Sequence, residues 1–233
     1  MTRWILTFIC TLYIVSLQSQ GTVYTPKLGL VAGVQSFGST ESLPLLSYHA
    51  SLAFEGYKED AKNSFYGQLG LHNRGSSERV FVPQGLQGGN IFRQNVRLTN
   101  ISGQVGVKNR LQTEGSRLPY YSFGLRLEYT LSDNFQSFEE FAGFLPIQLF
   151  INKWNYGASL AFGYEFTFSE LFGGIIEASV NPDLSFQYNQ PESFTIVSPV
   201  NGMSTVAPRR QVRNVTFELS FGLRLTNKVV YIN

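Results

Sequence analysis

From Trp154 to Phe168 the chain alternates without a break. Trp154, Tyr156, Ala158, Leu160, Phe162, Tyr164, Phe166 and Phe168 fall on one parity, and Asn155, Gly157, Ser159, Ala161, Gly163, Glu165 and Thr167 on the other. Successive side chains of a strand point to opposite faces, so this period of two makes one face oily and the other small or polar. The pattern recurs at Tyr121, Phe123, Leu125, Leu127, Tyr129 and Leu131, and at Val215, Phe217, Leu219, Phe221, Leu223 and Leu225. Weaker copies run over about 28–36, 48–54, 65–72, 96–108 and 172–188, and Pro182 on the apolar parity of the last predicts a bulge or a break. No stretch after residue 20 sustains a helical stripe over three turns. The chain is therefore read as all-β with eight strands.

Strand length and sidedness narrow the architecture. Strands of soluble sandwiches average about five or six residues, whereas a tilted membrane-crossing strand needs about 9–11. Several of these runs exceed ten residues. The oily parity carries Phe, Tyr, Leu and Val with almost no charge. The opposite parity is rich in Gly, Ser and Ala with single charges between them, as suits a crowded interior better than a wet outer wall. The oily face is thus expected to meet lipid. A soluble ligand-carrying barrel of the lipocalin kind would need the opposite sidedness. Only 15% of residues are charged, and the mean hydropathy of −0.05 excludes a bundle of membrane helices. A formal charge of +2 gives no support for nucleic-acid binding.

The beginning of the chain reads as an export signal. A basic Met1-Thr2-Arg3 precedes the apolar run Trp4 to Leu17, and Ser19 offers a small residue for cleavage. Residues 1–19 are expected to be a signal peptide and 20–233 the barrel domain. Cys10, the sole cysteine, falls inside that signal, so no disulfide framework is expected. Gaps near 37–47, 73–95, 132–153 and 189–213 alternate with shorter ones near 55–64, 109–119 and 169–171. Long loops on one side and tight turns on the other are the habit of bacterial outer-membrane barrels. An even strand count then places both termini in the periplasm. Trp154, Tyr129 and Tyr188 would sit at the outer interface, and Tyr121, Phe168 and Phe172 at the inner one. Lipid leaves no water for an open sheet edge, so the first strand must pair with the last. Two more strands in the loop regions would make ten.

On these runs, "YYSFGLRLEYTL", "WNYGASLAFGYEFTF" and "VTFELSFGLRL" among them, the chain resembles the small OmpX/OmpA-type outer-membrane β-barrels of Gram-negative bacteria, and among them the PorT-like porin-family proteins. The resemblance covers about residues 21–233. It implies an up-and-down antiparallel transmembrane barrel in the outer membrane and raises the prospect of a secretion-linked role. One departure is the ending Val230-Tyr231-Ile232-Asn233, where many members finish on an aromatic residue; Phe221 or Leu225 would then carry the assembly signal.

Inward parity assigns Glu55, Arg126, Glu128, Glu165, Glu177, Glu218 and Arg224 to the lumen. An eight-stranded barrel is just wide enough for side chains to fill it, so these charges are expected to pair as a polar plug, with a narrow ion path as the functional alternative. His49 and Ser51, two apart on one strand, are similar to the His-x-Ser pair of outer-membrane lipid A deacylases, but parity turns both inward, away from the acyl chains. His72 is expected to begin a loop, and two histidines without clustered carboxylates predict no metal site. Arg209, Arg210 and Arg213 form a basic group near the outer rim, read either as a solvated positive edge or as a contact for lipopolysaccharide phosphates. The loop 132–152, with Phe135, Phe138, Phe141, Phe144, Leu145, Ile147, Leu149 and Phe150, reads as a cap over the barrel mouth or as a surface that docks on a partner. Asn201-Gly202 signals a hairpin. No cofactor fingerprint or nucleophile elbow is present. The expectation is a barrel that is not an enzyme, with a structural or interaction role, in contact with outer-membrane lipid and a protein complex partner; a narrow channel or a lipid A-modifying enzyme are the alternatives.

Overall fold

The computed structural model describes residues 21–35, 41–58, 61–83, 89–112, 115–135, 148–192, 195–197, 202, 204–206 and 209–228. The signal segment therefore lies outside the described residues. Eight long strands make one closed antiparallel barrel: β1 (Gly21–Val34), β2 (Glu41–Tyr57), β3 (Asn63–Pro83), β4 (Gly89–Arg110), β5 (Arg117–Asp133), β6 (Trp154–Thr167), β7 (Phe172–Pro182) and β12 (Val215–Lys228). Each pairs with its neighbour in chain order, and β1 closes on β12 in a register running from Gly21↔Lys228 to Val34↔Val215. The further strands are short and lie between β7 and β12: β8 (Tyr188–Gln190) pairs with β11 (Arg210–Val212), and β9 (Thr195–Val197) with β10 (Ser204–Val206). They extend one end of the barrel rather than widen it, so the barrel has eight strands and not ten. β9 and β10 flank the Asn201-Gly202 pair, where Gly202 takes φ +66°. β7 ends at Pro182, where the missing N–H stops the ladder.

The oily parity faces outward on every long strand. Leu28, Leu30, Leu46, Tyr48, Phe65, Leu69, Phe123, Leu125, Trp154, Phe162, Phe217 and Phe221 are exposed, whereas Ser122, Ser159, Glu165 and Ser220 on the opposite parity are buried. This inverts the arrangement of a soluble protein and forms a continuous apolar wall. Tyr121 and Leu131 are ten residues apart on β5; at about 3.3 Å per residue and about 40° of tilt this gives a band about 25 Å tall, the height of the apolar band of membrane barrels. Tyr129 and Trp154 pack at its upper rim with centroids 4.8 Å apart and ring planes tilted by 57°. Tyr121, Phe168 and Phe172 are exposed near the other end. Tyr188 departs from this scheme: it is 1% exposed and packs with Phe150 and Val212 in a small apolar cluster above the barrel.

The connections 58–62, 111–116 and 168–171 close one end, called here the turn end. The opposite, loop end is taller. β3 and β4 stay paired as far as Pro83↔Gly89, although β2 reaches only Arg79 and β5 only Leu98. Residues 73–95, expected as a loop, are therefore largely a hairpin. At its base β2 carries one extra residue between Pro44 and His49, and Gly75 comes close enough to β1 that a Cβ on Gly33 would sit 2.6 Å from the Gly75 carbonyl oxygen. Of the expected aromatic cap, Phe138, Phe141, Phe144, Leu145 and Ile147 lie outside the described residues; Phe135 is buried and Leu149 exposed.

Candidate functional site

The lumen is filled from end to end, and all seven expected charges point into it. They form three groups rather than one plug. At the turn end Glu55 (β2) and Glu165 (β6) face Lys108 and Arg110 (β4). Lys108 Nζ lies 2.6 Å from Glu55 and 2.9 Å from Glu165, while Arg110 Nε donates to Glu165 at 2.8 Å and its Nη2 to Glu55. Arg224 stands farther off, 3.8 Å from Glu165. Ser64 adds a third donor to Glu55, at 2.6 Å. Mid-barrel, Glu177 accepts from Lys27 and from Tyr120, each at 2.7 Å. Lys108 sits 4.5 Å over the Tyr120 ring, which links these two groups.

Toward the loop end three carboxylates, Glu128, Asp183 and Glu218, meet Arg74, Arg126 and His72. Glu128 is 2.6 Å from Arg74, 2.8 Å from Arg126 and 3.0 Å from His72 Nε2. Asp183 is 3.0 Å from both arginines. The other ring nitrogen of His72 lies 3.4 Å from Glu218. Each nitrogen of this ring thus faces a carboxylate within ion-pair distance. Charges removed from water are tolerable only when paired this closely, and loss of one partner leaves an expensive remainder. Gln187 and Asn214 extend the group, Gln187 accepting from Arg74 at 2.9 Å and Asn214 donating to Asp183 at 3.1 Å.

Small residues on the inner parity make the room. A Cβ on Gly106 would lie 2.8 Å from the Tyr66 ring, and one on Gly163 would lie 2.7 Å from that of Tyr120. Between the ionic groups are two cavities, each with about 10 Å³ of space for water. That is room for about one water molecule apiece.

Several sequence expectations need correction here. His72 does not begin a loop; it lies inside β3 and is 6% exposed in the lumen. His49 meets Ser220, at 3.0 Å, and not Ser51. This hydroxyl–imidazole contact is sealed in the lumen beside a water-sized cavity, away from any acyl chain. Arg209, Arg210 and Arg213 do not form one patch: Arg209 is exposed, Arg210 is 9% exposed within β11, and Arg213 stacks 4.4 Å over the Phe186 ring. Lys27, Arg74, Lys108, Arg110 and Asp183 were absent from the expected lumen set. Parity with Thr25 and Gly29 would have found Lys27, and parity with Gly106 would have found Lys108 and Arg110. Arg74 and Asp183 lie where the alternation fades. Among the described residues no group of His, Cys, Asp and Glu could hold a metal ion.

A closed antiparallel barrel with an oily exterior and a buried ionic interior is built for lipid: the chain is a small eight-stranded outer-membrane β-barrel. No protein-family model and no curated protein matches its sequence. Solved outer-membrane barrels do resemble it in structure. Neisserial surface protein A superposes with TM-score 0.45 at 12% identity over 87% of this chain and 96% of that one. The outer membrane protein OprG from Pseudomonas aeruginosa gives 0.48 at 12% over 89% and 97%. The outer membrane protease OmpT from Escherichia coli gives 0.46 at 9% over 90% and 98%. At these values the likeness concerns architecture alone. One correction follows even so. The expectation that the chain is not an enzyme does not stand, because a protease is among the barrels of this architecture.

Proposed function

We propose that the protein is an outer-membrane anchor that works through its loop end, with both chain termini in the periplasm and the loop end outside. The observation that carries this is the contrast between the two parts of the molecule. The lumen is lined with paired charges, and the two cavities between its ionic groups are water-sized. The loop end, by contrast, raises the β3–β4 hairpin and the β8–β11 and β9–β10 ribbons above the lipid band. A sealed barrel with a tall exterior offers an interaction surface, and its role is that of a structural or accessory subunit of an outer-membrane assembly, with secretion the process that the sequence resemblance favours. Contact with lipopolysaccharide is part of the same reading, with Arg209 and Arg213 as exposed cations at the rim. Photo-crosslinking from Val206 and Asn95 in intact cells, followed by purification in mild detergent, tests it: a discrete protein adduct is expected, and the absence of any adduct at either site counts against it.

A narrow channel is the second reading. It is favoured by the way the two cavities share Gln68, Gln104, Asn181 and Glu218, forming one polar hollow at mid-barrel. Planar-bilayer recording separates the two readings: a sealed barrel gives no stable conductance steps, whereas steps altered by Arg126→Ala would establish the channel.

A further inference from the structure

The outer face of the β3–β4 hairpin changes character at one level. From the turn end upward its cross-strand pairs read Leu71↔Ile101, Asn73↔Thr99, Gly75↔Arg97, Ser77↔Asn95 and Arg79↔Arg93. The aliphatic pair belongs to the lipid wall, with Leu71 51% and Ile101 44% exposed. The next pair is a closed polar couple, Thr99 donating to Asn73 at 2.7 Å. Above it come exposed arginines. Arg97 is four residues beyond Ile101, about 13 Å of strand at about 3.3 Å per residue, or about 10 Å of height at about 40° of tilt. That is the level just outside the hydrocarbon, where the phosphates of a membrane lipid lie. Arg93 stands a further four residues up.

Uncharged groups hold the Arg97 backbone and the Arg93 side chain. The Arg97 backbone N–H donates to Asn134 Oδ1 at 2.8 Å, and Asn134 Nδ2 donates to the Asn95 carbonyl at 2.7 Å, so this side chain continues the sheet where β5 stops. Arg93 Nε donates to Ser77 Oγ at 2.6 Å, which orients its guanidinium. Among the described residues no carboxylate pairs with either one, in contrast to the arginines of the lumen. Arg79 has contacts of its own and lies opposite Glu41. The Arg93 guanidinium, turned by Ser77, and the exposed Arg97 side chain on its anchored backbone lie above an oily wall and supply the bidentate donors that phosphate accepts, next to a surface that takes acyl chains.

We propose that Arg93 and Arg97 bind the phosphates of a phosphorylated glycolipid, lipid A, whose acyl chains lie against Leu71 and Ile101. In the cell this rests on the loop end facing outward; the site itself does not depend on that orientation. The test therefore uses the refolded full-length barrel in detergent, titrated separately with lipid A and with dephosphorylated lipid A. Native barrel is expected to bind the phosphorylated form more tightly by about tenfold or more, with an affinity that falls as salt rises. R93Q/R97Q is expected to lose that difference while keeping the heat-shifted gel mobility of a folded barrel, R93K/R97K to keep part of it, and R209Q to leave it unchanged. Equal binding of the two lipids by the native barrel, or an undiminished preference in R93Q/R97Q, overturns the proposal. Surface digestion of cells, reporting which end is outside, tests the orientation independently.

Discussion

Leu125→Arg asks directly whether the outer wall meets acyl chains. Leu125 lies on β5, is 59% exposed, and sits between Val105 of β4 and Ala158 of β6. It is four residues from Tyr121 at one edge of the band and six from Leu131 at the other. With about 3.3 Å of rise and about 40° of tilt, these become about 10 and about 15 Å of height, which puts the side chain near the bilayer midplane. An arginine there costs about 2–4 kcal/mol, a shift of roughly thirtyfold to a thousandfold in the folding equilibrium. The same residue at Leu131, exposed at the band's upper edge, reaches the headgroups and costs about 0–1 kcal/mol. Ser159 offers no gentle comparison: it is 3% exposed and borders a cavity with about 10 Å³ for water, so an arginine would overfill the lumen. Reversible urea unfolding in phospholipid vesicles, followed by tryptophan fluorescence, gives both values. Equal costs at the two positions, or a loss at Leu125 below about 0.5 kcal/mol, would refute the placement of this wall in lipid.

Two further perturbations probe the interior by the same assay. Lys108→Met leaves Glu55 and Glu165 facing each other without the ammonium that lies within 2.9 Å of both, and is expected to cost about 3–5 kcal/mol; a change below about 1 kcal/mol would mean that water already reaches these carboxylates. Gly106→Val places a Cβ 2.3 Å from the Phe123 carbonyl oxygen and 2.8 Å from the Tyr66 ring, so a loss of about 1–3 kcal/mol is expected, and a neutral result would show that the lumen is looser than its packing indicates.

Wherever lipid borders a strand, the sequence is legible, because lipid demands an apolar residue at every second position. β5, β6 and β12 announce themselves this way, and their small inner parity foretells the filled lumen. Legibility stops where lipid stops. In the outer half of β3, Asn73, Gly75, Ser77 and Arg79 take one parity and Arg74, Ser76 and Glu78 the other, so neither parity is oily and the hairpin reads as a loop. Arg74, the centre of the upper ionic group, was hidden for that reason. Tyr188 was misplaced for a related one: an aromatic residue after Pro182 continues the alternation in sequence, but the proline ends the strand and sends the ring into a cluster above the barrel. Pairing partners within the lumen come from register across several strands, so parity supplies the members of the network and the fold alone supplies its three groups.

The central claim is the direction in which the alternating side chains of β6 face. Single cysteines at successive positions from 156 to 166, in a chain with Cys10 replaced by serine, can each carry a nitroxide label after reconstitution into vesicles. Collision with oxygen dissolved in lipid is expected to be high at even positions and low at odd ones, while a water-soluble relaxation agent follows neither series at mid-barrel. Maxima at the odd positions, or no alternation at all, would contradict the account.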